Sequence, residues 1–396
     1  MNFTIVDKKT DCLSIYTNGN FYFGPGEFPI NLSATWSYHP HFGSSVDYAH
    51  LFSLGKKLTE VCPKELQSKW TECKRKYQSF LNSLKNAKVA RTNGCIYNFI
   101  PRTILESYCE VKNQIIEHVI GNTTKPLIYE TLVKASAIAF MVAEQNVNLD
   151  YPALSRIALN DPLLREYVKT LKKTDPFVEY DIFGTITGRF TTRKDSFPIL
   201  NLAKKHREIL LPNNDYFVEL DFNSAEARTA YYLANKDQPP EDIHQWNIDY
   251  IFGGKISREE SKKQLFSYLY GYTEDSWLDR IYKKQEIIKS WNGNKVINHF
   301  GRIIPVEDAR LAVNYIIQST TSDLFINQAY NVLEFLKGKK SFIAFTIHDS
   351  LIIDLAKEDK VHLTEIINLF SETEFGRYKI NVSIGKNFGR MQRTGY

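Results

Sequence analysis

Two aspartates, each at the end of an apolar run, constrain this chain more than any other feature of its sequence. Asp221 ends the run that begins at Tyr216, and Asp349 ends the run that begins at Phe342. Runs of this length and composition are typical of strands, and the apolar sequence that returns as far as Asp354 predicts a hairpin. A strand-end aspartate often only caps a turn. Two of them on neighbouring strands, however, would supply the oxygen ligands that a pair of hard divalent cations needs for phosphoryl transfer.

The segment between the two aspartates contains a helix with an unusual face. Ser257 and Glu260 form a capping box and Gly271 is a stop signal, so the sequence predicts one helix over residues 257–271. Four residues spaced four apart share one face of it: Arg258, Lys262, Phe266 and Tyr270. A core-facing helix would be apolar at all four positions, and a merely solvated face would not add aromatic rings in register with the charges. Two cations followed by two aromatic rings fit a nucleotide laid along the helix.

At these positions the chain resembles a family A, polymerase I-like DNA polymerase. Residues 221–228 resemble the first catalytic motif of that family, residues 258–271 match the spacing of its fingers helix, and residues 348–349 match its third motif. Further segments follow in the order of the family: residues 187–189, 200–201, 242–244, 314–323 and 385–388. The resemblance spans roughly residues 126–396.

The resemblance implies an α+β fold, the right-hand polymerase fold, with an antiparallel-sheet palm and helical fingers. Few residues separate the segment 163–167 from the segment 187–189, and typical members insert a long helical thumb in this interval, so we expect a reduced or displaced thumb. The expected divisions are a small N-terminal β-rich segment at 1–50, a basic, thumb-like helical region at 51–124, the first part of the palm at 125–240, the fingers at 241–312 and the second part of the palm at 313–396.

The resemblance also assigns roles to residues. Two Mg²⁺ ions, for which Mn²⁺ can substitute, would be held by Asp221, Asp349 and the backbone carbonyl of Phe222, with Lys262 as a further catalytic residue. The incoming dNTP would contact Arg258, Lys262, Phe266, Tyr270, His244 and Glu226, the last acting as a steric gate against a 2′-hydroxyl. The primer–template DNA would contact Arg189, Asn201, Arg228, Asn314, Gln318 and His348.

One departure from the family pattern lies in the third motif. The family has a glutamate directly after the His-Asp pair, and this chain has Ser350. Because the metals of the family depend mainly on the two aspartates, we expect activity with an altered metal preference or rate. This and smaller departures suggest a divergent lineage, such as that of a virus or phage.

Composition agrees with an intracellular enzyme but does not by itself indicate nucleic-acid binding. The formal charge of the 396 residues is only +5. Basic residues are concentrated in one stretch: Lys64, Lys69, Lys74, Arg75, Lys76, Lys85, Lys88 and Arg91. Such a run is usually a solvated helix face, but it could follow the phosphates of a duplex. No signal peptide or membrane span is evident, so we expect a cytoplasmic protein (host cytoplasm if viral) without membrane partners, which could work with replisome proteins.

A proofreading exonuclease is not expected. The strand-end Asp7 has Lys9 where an exonuclease of this family needs a second acidic residue, and the N-terminal segment is too short for that domain.

Two other functions compete with the DNA polymerase. A related single-subunit RNA polymerase shares the aspartates and the fingers residues but needs an open 2′ position where this chain has Glu226. A catalytically weak polymerase fold that serves as a DNA-binding replisome scaffold is suggested by Ser350 and the missing thumb. The intact carboxylates and fingers cations argue against a scaffold, which has no need to cluster costly charges.

Overall fold

The computed structural model of the protein describes residues 3–5, 13–29, 31–87, 99–171, 176–194, 196–271 and 275–395. The chain divides into two compact units, Met1–Tyr129 and Glu130–Tyr396. The predicted acidic position Asp7, its neighbour Lys9 and the basic residues Lys88 and Arg91 lie outside the described residues, as does the side chain of Lys85.

The first unit begins with short strands. Its strands are β1 (Thr4–Ile5), β2 (Ser14–Thr17), β3 (Asn20–Phe23), β4 (Ala34–Thr35) and β5 (Asp47–Tyr48). The first three form an antiparallel sheet. The turn between β2 and β3 is Asn18–Gly19, and both residues have positive φ, as a type I′ hairpin turn requires.

Helices complete the first unit: α1 (Ala49–Phe52), α2 (Leu58–Val61), α3 (Lys64–Asn86) and α4 (Arg102–Asn122). The two long helices pack through aromatic rings. Tyr77 of α3 and Tyr108 of α4 stack with centroids 4.2 Å apart, and the ring centroid of Trp70 lies 5.3 Å from that of Tyr108. The described basic residues of α3, Lys64, Lys69, Lys74, Arg75 and Lys76, are all exposed.

The second unit has ten helices among its described residues. They are α5 (Tyr129–Ala143, which begins on the last residue of the first unit), α6 (Tyr151–Ala158), α7 (Pro162–Leu171), α8 (Ala225–Leu233), α9 (Ile243–Tyr250), α10 (Arg258–Tyr270), α11 (Ser276–Tyr282), α12 (Lys284–Ile287), α13 (Ala309–Leu336) and α14 (Leu363–Ser371). The predicted helix over 257–271 is confirmed as α10, with Ser257 and Gly271 as its caps.

The strands of the second unit are β6 (Asn148–Leu149), β7 (Tyr180–Asp181), β8 (Thr191–Thr192), β9 (Leu210–Leu211), β10 (Tyr216–Phe222), β11 (Lys295–Ile297), β12 (Ile303–Pro305), β13 (Phe342–Ile347), β14 (Ser350–Leu355), β15 (Glu372–Thr373), β16 (Gly376–Arg377), β17 (Ile380–Gly385) and β18 (Gln392–Arg393). The main sheet has the order β13-β14-β10-β17-β18, and every pairing in it is antiparallel. The predicted antiparallel sheet and the predicted hairpin are confirmed.

The main sheet is covered by helices on one face. Side chains alternate between the faces of a strand, and in β10 the ring of Phe222 stacks on Phe370 of α14 with centroids 4.4 Å apart. Its neighbour Asp221 therefore points to the other face. A second hydrophobic core is built from α8–α13 and the β11–β12 hairpin. It includes the fully buried side chains of Leu265 in α10 and Tyr282 in α11.

Candidate active site

The strand β10 delivers Asp221 to the open face of the main sheet. Within the sheet Asp221 lies opposite Ser350 of β14 and Asn381 of β17. Glu219 is two residues earlier and therefore on the same face. Burial, together with the negative charge of Asp221, raises the pKa of Glu219.

The second aspartate lies in the turn of the β13–β14 hairpin. The turn consists of His348, in the left-handed region with φ of +51°, and Asp349. The Asp349 side chain is 22% exposed. Burial raises its pKa to about 6, with Arg189 opposing the rise and Glu226 and Asp221 adding to it. A divalent cation would relieve this crowding of negative charge.

Both aspartates line one cleft of about 970 Å³, here called the carboxylate cleft. Other residues with predicted roles also line it: Phe222, Glu226, His244, Arg258, Lys262, Phe266 and His348. Sequence reasoning did not assign a role in this cleft to Lys204, Lys205, Arg207, Glu219, Ser350, Asn381 and Arg393. The first three belong to the 3₁₀ helix Lys204–Ile209, so the cleft carries basic groups beyond those of α10.

The helix α10 presents its predicted face to this cleft. Ser257 Oγ accepts a hydrogen bond from the backbone N–H of Glu260, whose carboxylate accepts one from the Ser257 N–H, so the capping box is complete. The guanidinium of Arg258 donates to Asp242 at 2.8 Å. Although burial alone would raise the pKa of Asp242, hydrogen bonds from Arg258 and Asn223 hold it well below its usual range. Arg258 is thus held at the rim by a carboxylate that a phosphate could replace.

The two aromatic residues of this face have different surroundings. The rings of Phe266 and Tyr270 stack with centroids 5.7 Å apart, but only Phe266 lines the carboxylate cleft. The hydroxyl of Tyr270 donates to Glu226 Oε2 at 2.6 Å. The other carboxylate oxygen of Glu226 accepts from Arg189 Nη2 at 2.5 Å, and the same nitrogen lies 3.9 Å from Asp349. Glu226 is therefore held from two sides.

The imidazole of His244 is fully buried in the wall of the cleft. Neither ring nitrogen has a hydrogen-bond partner among the described residues. Burial lowers the pKa of His244 to about 4; Asp242 opposes this shift, and Arg258 and Lys262 add to it. A neutral ring with unsatisfied nitrogens can donate a hydrogen bond to a ligand in the cleft.

The segment 187–189 is supported by a buried ion pair that the sequence did not reveal. Gly188 has φ of +81°, and a Cβ there would lie 2.5 Å from the guanidinium of Arg302. Arg302 in turn donates two hydrogen bonds to Asp323, at 2.6 and 3.0 Å. A glycine is required at 188 because the guanidinium occupies the space of any side chain. Asp323, the aspartate of the segment 314–323, thus fixes the guanidinium of Arg302. That guanidinium packs against Gly188, which directly precedes Arg189.

Of the predicted DNA contacts, only His348 lines the carboxylate cleft. Asn201 is exposed in a 3₁₀ helix, and Asn314 and Gln318 are half-buried on α13. Arg189 and His348 line a small neighbouring cavity together with Leu200 of the segment 200–201.

The assignment of Arg228 to DNA is wrong for this structure. Its side chain is 0% exposed, and its guanidinium donates to the backbone carbonyls of Asn223, Pro239 and Glu241. These bonds tie the start of α8 to the segment before α9. Arg228 therefore stabilises the fold from inside and offers nothing to a DNA strand.

The carboxylates of the cleft fit divalent cations. Asp221 and Asp349 supply hard oxygen ligands, and within the described ranges Asp221 has no ion-pair partner. Among the described residues there is also no cluster of three or more His, Cys, Asp or Glu side chains that would hold a metal by itself. Backbone, substrate or water oxygens would have to complete the coordination, as is usual for Mg²⁺. The ring of Phe222 packs away from the cleft, so only its backbone could take part.

No helix among the described residues is long and apolar enough to cross a membrane.

Comparison with known proteins establishes the fold. The chain matches the polymerase domain of Pol1 from M. smegmatis, solved in complex with DNA primer-template and dNTP, with a TM-score of 0.65. The match covers 98% of this chain and 95% of that domain at 10% sequence identity. The expected right-hand polymerase fold is confirmed.

A weaker similarity is found in sequence. DNA polymerase I of Borreliella burgdorferi is 24% identical over 155 residues, which cover 34% of this chain and 16% of that protein. The chain therefore spans only a small part of this relative. No protein-family model matches the chain.

Proposed function

We propose that the chain is a template-directed DNA polymerase that adds dNTPs to the 3′-hydroxyl of a primer. One observation carries this proposal: Asp221 and Asp349 line the same cleft as Arg258, Lys262 and Phe266 of α10. Acidic groups for cations, basic groups for a triphosphate and a ring for a base are thus combined in one cavity. The name of the polymerase domain with the same fold supports the choice of substrate.

The residues of α10 and α9 bind and orient the incoming nucleotide. Arg258 leaves Asp242 and binds a phosphate of the nucleotide instead. Lys262 lies one turn further on the same face and binds the next phosphates. Lys262 also protonates the leaving pyrophosphate. The ring of Phe266 stacks on the base. His244, neutral because its pKa is about 4, donates a hydrogen bond to a phosphate oxygen.

Asp221, Asp349 and the backbone carbonyl of Phe222 would hold the metal. When bound there, two Mg²⁺ ions (or Mn²⁺) lower the pKa of the primer hydroxyl and stabilise the charge that develops on the pyrophosphate. The protein holds the two carboxylates in place through the sheet and the hairpin turn. Strain is part of this arrangement, because a non-glycine residue at positive φ costs of the order of 1–3 kcal/mol, and His348 has this conformation directly before Asp349.

Glu226 selects the deoxyribose. Its carboxylate is fixed by Tyr270 and Arg189, so it cannot easily move aside for a 2′-hydroxyl. Release of Tyr270 from this contact would open the position next to it for the templating base. On the DNA side, Arg189, Gln318 and Asn314 contact the minor groove near the primer end, where the acceptors are shared by all correct pairs. Asn201 and His348 contact the DNA backbone.

Primer extension on a DNA template with Mg²⁺ tests the proposal, with dNTPs and NTPs in separate reactions. We expect extension with dNTPs only. Asp221→Ala and Asp349→Ala should each reduce extension by more than about 100-fold, because loss of a metal ligand costs at least as much as loss of its supporting partner. Primer–template binding should be retained. Asp215→Ala is the matched control, since Asp215 is exposed and directly precedes the other end of β10.

Other outcomes would identify the competing functions. Extension with NTPs would contradict the steric gate and favour an RNA polymerase. Duplex binding without any extension would favour the scaffold. Glu226→Ala should increase ribonucleotide insertion, whereas Glu226→Gln, which keeps the size of the side chain, should not.

We also propose that these 396 residues do not proofread. The polymerase-domain match, which covers 98% of them, supports this proposal. A 5′-labelled primer with a mismatched 3′ end should remain intact when it is incubated with the protein and Mg²⁺ without dNTPs. Stepwise shortening of that primer would contradict this.

A further inference from the structure

Both oxygens of the Asp221 carboxylate accept a hydrogen bond from a flanking strand. Ser350 Oγ on β14 donates to Oδ1 at 2.7 Å. Asn381 Nδ2 on β17 donates to Oδ2 at 3.2 Å. The carboxylate is thus held across the sheet from both sides.

The register of the sheet produces this arrangement. Ser350 and Asn381 are the two residues directly opposite Asp221. Residues directly opposite in antiparallel strands point to the same face with Cβ atoms about 4.5–5.5 Å apart, close enough for short side chains to meet. A shift of either strand by one residue would move its donor to the covered face.

A third residue orients the amide of Asn381. Arg393 of β18 donates a hydrogen bond to Asn381 Oδ1. Because the amide oxygen accepts from the arginine, the amide nitrogen is directed at Asp221. The guanidinium also brings a positive charge to the outer side of the Asn381 amide. The chain from Arg393 through Asn381 to Asp221 crosses three adjacent strands.

These donors do not block the cleft side of the carboxylate. A carboxylate has about four lone-pair sites, and the two hydrogen bonds use one on each oxygen. One site on each oxygen remains for a cation. Metal-binding carboxylates are commonly held in this way, by hydrogen bonds from neighbouring groups.

We propose that Ser350, Asn381 and Arg393 are positioning residues that fix the rotamer of Asp221 for divalent-cation binding. The hydroxyl at position 350 is then an orienting donor, although the polymerases that this chain resembles have a glutamate there. The inference rests on the proposed function, because the role of Asp221 as a metal ligand belongs to it.

Binding of Mn²⁺ to the protein without DNA or nucleotide provides a test that does not depend on activity. The electron paramagnetic resonance signal of free Mn²⁺ would be followed during titration of the wild type, Ser350→Ala, Ser350→Thr, Asn381→Leu and Asp221→Ala. We expect Ser350→Ala and Asn381→Leu to weaken binding by about 10- to 100-fold, as for other residues that orient metal ligands. Ser350→Thr keeps the hydroxyl and should bind close to the wild type, and Asp221→Ala should lose the site.

Two control variants remove similar groups elsewhere. Ser136 donates to the carbonyl of Leu132 within α5, and Asn368 accepts from Arg377 as Asn381 does from Arg393. Ser136→Ala and Asn368→Ala should bind Mn²⁺ like the wild type. Melting temperatures of all variants distinguish a displaced carboxylate from a misfolded protein.

Primer extension over a range of Mg²⁺ concentrations gives a second measurement. In Ser350→Ala and Asn381→Leu, the Mg²⁺ concentration for half-maximal rate should rise by the same factor as the dissociation constant for Mn²⁺. The affinity for primer–template should be unchanged. Wild-type Mn²⁺ affinity in both variants, with loss of the site in Asp221→Ala, would overturn the positioning role. The expected Mn²⁺ results in a protein that extends no primer would instead contradict the proposed function alone. Unchanged Mn²⁺ binding in Asp221→Ala would overturn the metal assignment and the positioning role together.

Discussion

The imidazole of His244 shows how burial can set the chemistry of a single side chain. The ring is enclosed by α9 and α10, and its charged neighbours are Asp242, Arg258, Lys262 and the buried Arg228. Only Asp242 favours the imidazolium, and it is outweighed by burial and by the three cations. At neutral pH the proposed contact of His244 with a phosphate is therefore a hydrogen bond and not an ion pair.

This burial predicts a measurable titration. The NMR resonances of the His244 ring should titrate near pH 4, and His244→Gln identifies them. Because the folded-state pKa lies below the unfolded value of about 6.5, the unfolded chain takes up a proton first as the pH falls. The associated stability is fully present above about pH 6.5, and about 2–3 kcal/mol of it is lost by about pH 4.5.

Chemical denaturation at about pH 7 and about pH 4.5 measures that loss. The wild type should lose more unfolding free energy between these pH values than His244→Gln, by about 2–3 kcal/mol. Titration of the ring near its ordinary pKa of about 6.5, or equal losses in the two proteins, would show that the ring is accessible to solvent.

Single side chains also mark the limit of sequence reasoning. The roles proposed for Asp221 and Glu226 were predicted from a short motif, and both residues line the cleft. Arg228 belongs to the same motif, yet it is buried. Its position depends on the carbonyls of residues 239 and 241, which come from a loop without a recognisable pattern. A motif gives the residue type and the spacing but not what packs around the side chain.

The helix α10 depends on its N-terminal cap. Ser257 and Glu260 satisfy backbone N–H groups that have no partner within the helix. Arg258 follows directly in the first turn, so fraying of this turn would displace the residue that we expect to bind phosphate. The cap therefore connects the stability of the helix with nucleotide affinity.

Removal of the cap should lower both quantities. Ser257→Ala should cost about 1 kcal/mol of unfolding free energy, the usual effect for a serine N-cap. It should also raise the KM for dNTP while leaving primer–template affinity unchanged. Ser257→Thr keeps a capping oxygen and is the control. A Ser257→Ala protein with the KM of the wild type would show that the first turn does not contribute to binding.

Local patterns predicted the helices and strands better than they predicted the contacts between them. The bounds of α10 and of the β13–β14 hairpin follow from local signals, namely caps, turns and apolar runs that lie within a few residues of those bounds. The contact between Ser350 and Asp221 does not, because it joins positions 129 residues apart through the register of the sheet. Asn381 and Arg393 could have been found only if that register had been known.

The first unit carries the long basic helix α3. Its inner side includes the buried Trp70 and Cys73 and the half-buried Tyr77, which stacks on Tyr108 of α4, and its described basic residues are exposed. Lys76 pairs with Glu72 of the same helix. We propose that this exposed surface binds DNA phosphates in a thumb-like role. The division of the chain into palm, fingers and thumb remains a prediction.

Salt dependence measures this contribution. Changing Lys64, Lys69 and Arg75 together to glutamine should weaken primer–template binding and reduce the slope of log affinity against log salt by about 0.9 for each phosphate that the protein no longer neutralises. Lys340, Lys357 and Lys360 serve as the control, because they lie at the end of the β13–β14 hairpin remote from Asp349. An unchanged slope in the first variant would leave α3 as a solvated surface.

The five-stranded sheet determines when the carboxylate cleft can exist. Strand β10 pairs with β14 on one side and with β17 on the other, so Asp221 acquires its neighbours only after residue 381 has been synthesised. The chain between residues 221 and 381 must close into a loop before the contacts between β10 and β17 can stabilise it. This requirement slows folding. A nascent chain released before β17 would therefore carry the basic residues of α10 without an ordered pair of acidic residues. We therefore expect the proposed nucleotide-binding residues and the proposed cation site to become ordered at different times during biosynthesis, the second only after β17.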